Sequence, residues 1–278
     1  MRPPLREVIA RHGLATRKSL GQHFLLDGHL LERIVRCAGD LDGVNVLEIG
    51  PGPGGLTRAL LDSAAASVTA IEIDPRAVAA TSELLADHGD RLRIVAADAL
   101  ELALETIVPP PRAIVANLPY NAGTAMLIRW LHQAGEFRSL TLMFQQEVAE
   151  RIIARPDTPH YGRLAVLAAL TTTGAIALNV PAAAFSPPPK VESAVVRLIP
   201  HASQPSPARL ATIGRITAAA FGQRRKMLRG ALKSLGGAAL LEQTGIDPQR
   251  RAETLTPADY VALAEALERR ETPGGVRE

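Results

Sequence analysis

Aromatic side chains are scarce in this chain: its 278 residues include five Phe, three Tyr and one Trp. A core with so few rings is built from Ala, Leu, Val and Ile, so the positions of the rings carry information. Cysteine is scarcer still. Cys37 stands alone, which excludes an internal disulfide and a multi-cysteine metal centre, and the seven His show no ligand spacing. No metal is therefore expected, and a reducing compartment, the cytoplasm, is the expected home. The N-terminus has no apolar signal core. Residues 164–189 carry no charge and are long enough to span a membrane. Three consecutive Thr, Gly174, Asn179 and Pro181 interrupt that run, so a buried helix followed by a strand is expected there and no membrane contact. With 47% hydrophobic and 21% charged residues the composition excludes a fibre or a disordered tail.

Acidic residues are missing from one long stretch. Between Glu192 and Glu242 there are none, while Arg197, Arg209, Arg215, Arg224, Arg225, Lys226, Arg229 and Lys233 fall there. Residues 1–40 sum to +3, residues 41–201 to −4 and residues 202–278 to +4, so the ends are basic and the middle acidic. A basic block of this kind repels itself unless an anion faces it. Leu228, Ala231, Leu232 and Leu235 recur at helical spacing, with Lys226, Arg229 and Lys233 on another side, so an amphipathic basic helix is expected. Its polar side suits a phosphate backbone, where many cations each release a counterion.

From residue 44 short apolar runs alternate with helix-like segments. Runs at 44–49, 68–73, 92–96 and 113–116 read as buried strands of a parallel sheet with helices on both faces, and 140–144, 176–180 and 194–199 supply further strands. Residues 200–207, with three Pro and two Ser, read as a linker between a domain at 1–200 and a small helical, basic domain at 201–278.

The first strand ends in Glu48, Ile49, Gly50, Pro51, Gly52, Pro53, Gly54 and Gly55. Such a loop lets a ligand lie against backbone, and Gly50, Gly52 and Gly55 also fit a dinucleotide spacing. Glu72 ends the second strand, where a carboxylate accepts hydrogen bonds from both ribose hydroxyls. Asp98 ends the third, where it accepts from an adenine amino group. Carboxylates at the ends of three successive strands suit a ligand with a cationic methionine part better than a pyrophosphate. That favours S-adenosylmethionine over NAD, and an NAD-dependent oxidoreductase is a distant alternative.

The fourth strand runs into Asn117, Leu118, Pro119, Tyr120 and Asn121. The carboxyl end of a central strand is where open α/β sheets bind ligands. An exocyclic adenine amine is a poor nucleophile because its lone pair is delocalised into the ring. The Asn117 side-chain oxygen and the Leu118 carbonyl, accepting its two hydrogens, would free that lone pair. Tyr120 would stack on the base, a contact worth ~1–3 kcal/mol.

Together with residues 21–27 (Gly, Gln, His, Phe, Leu, Leu, Asp), the 48–54 loop, residues 161–164, the segment Phe185, Ser186, Pro187, Pro188, Pro189, Lys190 and Val191, the run 223–226 and residues 245–253, these motifs resemble the small-subunit ribosomal RNA adenine dimethyltransferases over nearly the whole chain. The resemblance implies an α/β class I methyltransferase fold, Rossmann-like with a mostly parallel seven-stranded sheet, and a small C-terminal helical domain. It implies transfer of four methyl groups from S-adenosylmethionine to N6 of two adjacent adenosines near the 3′ end of 16S rRNA, in the immature small ribosomal subunit during ribosome biogenesis. By matching motif, His23 and Leu25 would close over the cofactor, Gly50 support it, Glu72 hold the ribose and Asp98 the adenine. Asn117 would border both cofactor and target, and Tyr120 and Phe185 would sandwich a flipped base. Two departures stand out: His23 replaces an Asn common in the family, and Ala122 and Gly123 replace bulkier residues, which is expected to loosen that loop. Arg17, Lys18 and the Arg224–Lys233 region would grip folded rRNA by its phosphates. Nothing demands more than a monomer. Rival readings are a sister enzyme acting on large-subunit RNA or DNA adenine, and an assembly factor in which catalysis is incidental.

Overall fold

The computed structural model describes residues 2–14 and 23–271. Arg17, Lys18 and the Gly21 and Gln22 of the first motif lie outside the described residues. The described residues form nine strands: β1 (Phe24–Leu25), β2 (Asn45–Ile49), β3 (Ser67–Glu72), β4 (Leu92–Ala96), β5 (Arg112–Asn117), β6 (Ser139–Gln145), β7 (Thr172–Val180), β8 (Phe185–Ser186) and β9 (Ser193–Pro200). Seven of them make one sheet in the order β4-β3-β2-β5-β6-β9-β7. The pairs β2 with β3, β3 with β4, β2 with β5 and β5 with β6 are parallel, and β9 runs antiparallel to β6.

The central apolar runs become strands because both faces of the sheet are covered there, whereas the outer strands β4 and β7 are largely exposed or half-buried. Val46, Leu47, Val68, Ala70, Ala113, Ile114, Val115, Leu140, Leu142, Val195 and Val196 are fully buried, and continuous Val/Ile/Leu runs mark strands buried on both sides. Helix starts are written locally. Asp27 caps Gly28–Cys37 by accepting from the His29 and Leu30 amides, and that helix buries Leu30, Leu31, Ile34 and Val35. Asp74 caps Pro75–Ser82, with proline in the first turn where its missing N–H costs nothing.

The order places the functional crevice. From β2 the chain steps outward through β3 to β4, then returns to the other side of β2 as β5 and continues to β6. The carboxyl ends of β2 and β5 therefore flank the point where the winding reverses, which is where open α/β sheets bind ligands.

The chain divides into two compact units, Met1–Ala149 with Gly174–Pro200, and Glu150–Thr173 with His201–Glu278. The second unit is larger than the 201–278 expected from sequence, because residues 150–173 share its core: Tyr161, Ala165 and Val166 pack with Ile216, Leu228, Tyr260 and Leu263. The Tyr161 hydroxyl donates to the Leu255 carbonyl at 2.8 Å and the Tyr260 hydroxyl to the Ala252 carbonyl at 2.8 Å. Phe221 contacts both rings at 6.0 Å.

The continuous basic helix expected over 224–233 is not formed. The helix Pro207–Gly222 gives way to turns, Met227 is extended, and only Leu228–Ala231 is α-helical, followed by a 3-10 turn at Lys233–Leu235. The reason lies in the amides: Leu228 donates to the Arg250 carbonyl and Arg229 to the Pro248 carbonyl, not to the preceding turn. The apolar side of the pattern holds, since Leu228, Ala231 and Leu232 are buried. Arg225, Lys226, Arg229 and Lys233 form no ion pair among the described residues, whereas Arg209 pairs with Glu265 and Glu268 and Arg215 with Glu271.

Candidate active site

A cavity of about 290 Å³ opens over the carboxyl ends of β2, β3 and β5. Its wall includes His23, Leu25, Glu48, Gly50, Glu72, Asp98, Asn117, Leu118 and Tyr120, so the structure gathers these residues, drawn from five separate stretches of sequence, around one space. Phe185 is the exception. It is buried, pairs across β1 and β8 with Leu25, and lies outside the cavity wall. The segment continues through a cis Ser186–Pro187 bond.

The turn after β2 needs glycine. Gly52 has φ +56°, and a Cβ there would sit 3.2 Å from the Phe24 ring, so a side chain would strain the backbone and push the wall. Both carboxylate oxygens of Glu48 on β2 are buried and in no well-formed hydrogen bond among the described groups, with the Thr57 hydroxyl and amide close by. Burial pushes its carboxyl up to about 8, with Thr57 pulling the other way and the nearby Glu72 charge adding to the rise. A buried acid with vacant acceptors is costly unless a ligand satisfies it, and a cationic amine would.

Glu72 is anchored. One oxygen accepts from the Ile73 and Asp74 amides at 2.8 Å each, and the other takes only a long contact from Gly52 at 3.4 Å. Burial raises its pKa against the pull of those three amides. The second oxygen thus has capacity for the hydroxyls of a sugar. Asp98 is steadied by the Leu100 amide at 2.8 Å. These acceptors fit a ligand carrying a cation and a ribose.

On the other side, β5 carries Asn117 half-exposed to its end, and Leu118 packs beneath the turn. The Tyr120 hydroxyl meets Ser193 Oγ at 2.8 Å, and burial raises its pKa against the effect of that bond. Gly123 sits in close contact with its surroundings. A Cβ on Gly123 would come within 3.1 Å of Leu118 and 3.2 Å of Phe144, so the glycine lets the helix Gly123–Leu131 press onto the strand end.

Of the wall and support residues that sequence reasoning missed, three are instructive. Ile73 lines the cavity with 67% of its surface exposed; its signal was an apolar residue just past a strand's carboxyl end, where a water-exposed side chain suits a planar ligand. Phe24 lines the same space next to Gly52. Ser193, buried at the start of β9, had no local signal because its partner Tyr120 is 73 residues away.

The sequence profile of the ribosomal RNA adenine dimethylase family matches residues 13–269. The chain belongs to that family. It is 58% identical over 95% of its length to the ribosomal RNA small subunit methyltransferase A of Brucella canis, covering 97% of that protein. It is 57% identical to the protein of the same name from Gluconobacter oxydans, over 95% of this chain and 87% of that one. Among solved structures it superposes on a dimethyladenosine transferase from Plasmodium falciparum with TM-score 0.76 and 25% identity, covering 90% of this chain and 98% of that one. The 23S rRNA methyltransferase ErmE gives TM-score 0.65 and 29% identity, with 88% and 99% covered. This ribosomal RNA adenine dimethylase is therefore a methyltransferase of Rossmann-like fold with a helical C-terminal region. No described helix is long and apolar enough to cross a membrane.

Proposed function

We propose that this dimethylase transfers methyl groups from S-adenosylmethionine to N6 of two adjacent adenosines near the 3′ end of 16S rRNA, within the immature small ribosomal subunit. The carrying observation is the cavity itself: the Asn117–Tyr120 strand end and the vacant acceptors of Glu48 and Glu72 face one space. The small subunit is favoured over the large because identity reaches 57–58% with proteins named for the small subunit and 29% with a 23S enzyme.

Bound S-adenosylmethionine supplies a methyl group already activated by a positive sulfur, so no metal is needed. The chain's own residues do the rest. Glu48 accepts from the ammonium of the amino-acid part, Glu72 from the ribose, and Asp98 from the adenine amine. Gly50 and Leu25 shape the backbone side of that pocket. Asn117 and the Leu118 carbonyl accept from the N–H groups of the target amine and free its lone pair, and acceptors preset for this geometry are worth about 10²–10³ in rate. Tyr120 and Phe185 hold the flipped purine, which requires the Phe185 segment to present its ring to the slot. Arg225, Lys226, Arg229 and Lys233 of the helical unit, without ion pairs among the described residues, contact phosphates, and rRNA shape selects the target. The protein works as a cytoplasmic monomer in this reading.

The test is incubation with labelled methyl donor and small subunits that lack the modification, followed by nucleoside analysis. Label in N6,N6-dimethyladenosine from 16S rRNA is expected. Label confined to large subunits or to DNA would overturn the reading.

A further inference from the structure

In the short ribbon of β1 and β8, Leu25 stands opposite Phe185 and Phe24 opposite Ser186. Continuing that register sets His23 opposite Pro187, and proline has no N–H with which to extend a ladder. The His23 imidazole takes the next rung instead: its Nδ1 lies 2.8 Å from the Pro187 carbonyl oxygen. A carbonyl only accepts, so Nδ1 carries the proton and donates. The same ring lies 5.7 Å from Tyr120, tilted by 31°, and 6.4 Å from Phe185, edge-on at 81°. Among the described residues, every polar and ring contact of this side chain goes to the base-side residues Tyr120, Phe185 and Pro187, and none to Glu48, Glu72 or Asp98.

We propose that the His23 side chain serves the acceptor purine and not the methyl donor. It is a positioning residue. By donating to Pro187 it holds the Phe185 segment in register with Leu25, and its ring closes a side of the slot next to Tyr120. The inference rests on the reading of Tyr120 and Phe185 as the base-stacking pair. It adds to the backbone pairing of Phe185 with the wall residue Leu25 a side-chain bond that links the next rung of the segment to the same wall. A misplacement of the order of 1 Å at such a slot costs up to about a hundredfold in rate.

The experiment uses the full chain with His23→Ala, His23→Asn and His23→Phe, each checked for an unchanged thermal midpoint. Calorimetry with S-adenosylmethionine alone gives donor affinity, and steady-state methylation of undermodified small subunits gives KM and kcat separately. For His23→Ala, subunit KM should rise about tenfold, the loss of about one hydrogen bond, while donor Kd stays within about twofold. Asn carries a donor nitrogen on the same Cγ, so His23→Asn should recover most of the loss. His23→Phe keeps a ring without a donor and should not. A tenfold weaker donor Kd with unchanged subunit KM in His23→Ala overturns the proposal, as does wild-type behaviour of all three variants, or recovery by Phe but not by Asn. In each of those cases wild-type activity on small subunits leaves the functional reading standing; an inactive wild type removes both.

Discussion

Two trios of aromatic rings, out of so few in the chain, are used in opposite ways. Tyr161, Phe221 and Tyr260 fill the core of the helical unit, and both of its tyrosine hydroxyls are sealed in and satisfied by backbone carbonyls. Burial drives both phenols well above their ordinary range. Phe24, Tyr120 and Phe185 gather about the cavity and the ribbon beside it, and the Tyr120 hydroxyl is held by a side chain, Ser193, on a different strand. The same split runs through the charges: Arg209 and Arg215 are paired with acids, while neither buried oxygen of Glu48 sits in a well-formed hydrogen bond among the described residues. Where buried rings have their hydroxyls satisfied by backbone the chain stores stability, and where strand-end carboxylates keep acceptors open it holds a ligand.

The contrast can be broken most forcefully at Tyr260. Tyr260→Ala removes a fully buried ring and should cost about 3–5 kcal/mol, read as a thermal midpoint lowered by roughly ten degrees, while donor affinity below the transition is unchanged. If donor binding fell in step with stability, the division of labour between the trios would be wrong. Asn117→Ala should do the reverse, lowering methyl transfer about 10²–10³-fold with donor Kd within several fold and an unaltered midpoint. Residual activity near wild type would remove the amine-activating role of that strand end.

Charge reversal of Arg225 and Arg229 to Glu should reduce the dependence of log affinity for RNA particles on log salt by about two units. That is more than tenfold in affinity across a fourfold salt change, and an unmoved slope would take these residues out of the interface. The smallest effect is at Glu48. Its carboxyl, raised to about 8, is protonated at neutral pH in the free protein. A cationic ligand favours the ionised form, so binding releases a proton and tightens as pH rises toward 8, by about fivefold between pH 7 and pH 8. The sign for stability is opposite. A carboxyl with a raised folded pKa stabilises below its unfolded value near 4.5 and loses that contribution as pH climbs through 8, so Glu48→Gln should gain stability relative to wild type above pH 8. Calorimetry in buffers of different ionisation enthalpy, with thermal melts at two pH values, checks both.

The parallel sheet was legible because strands covered on both faces must be apolar throughout, and the observed bounds differ from the apolar runs by a residue or two, apart from β7, which starts four residues earlier at Thr172. The acids at strand ends were legible for a related reason: Glu48, Glu72 and Asp98 are polar residues placed where a buried run stops. The ribbon of β1 and β8 was not, since two-residue strands 160 positions apart leave no periodic trace. Phe185 was found through family resemblance, and its contact with His23 by neither route. The basic segment shows the limit of periodicity: spacing identified its buried leucines, while amide bonds to Pro248 and Arg250 decided that no long helix would form.

The second unit is assembled from two lengths of polypeptide separated by residues 174–200. An engineer seeking a minimal enzyme by cutting after Pro200 would therefore amputate half of a shared interior, stranding Tyr161 with its hydroxyl stripped of the Leu255 oxygen. Fragments that respect the architecture must keep the late helices attached, or graft a short bridge across 150–173 and discard both lengths together.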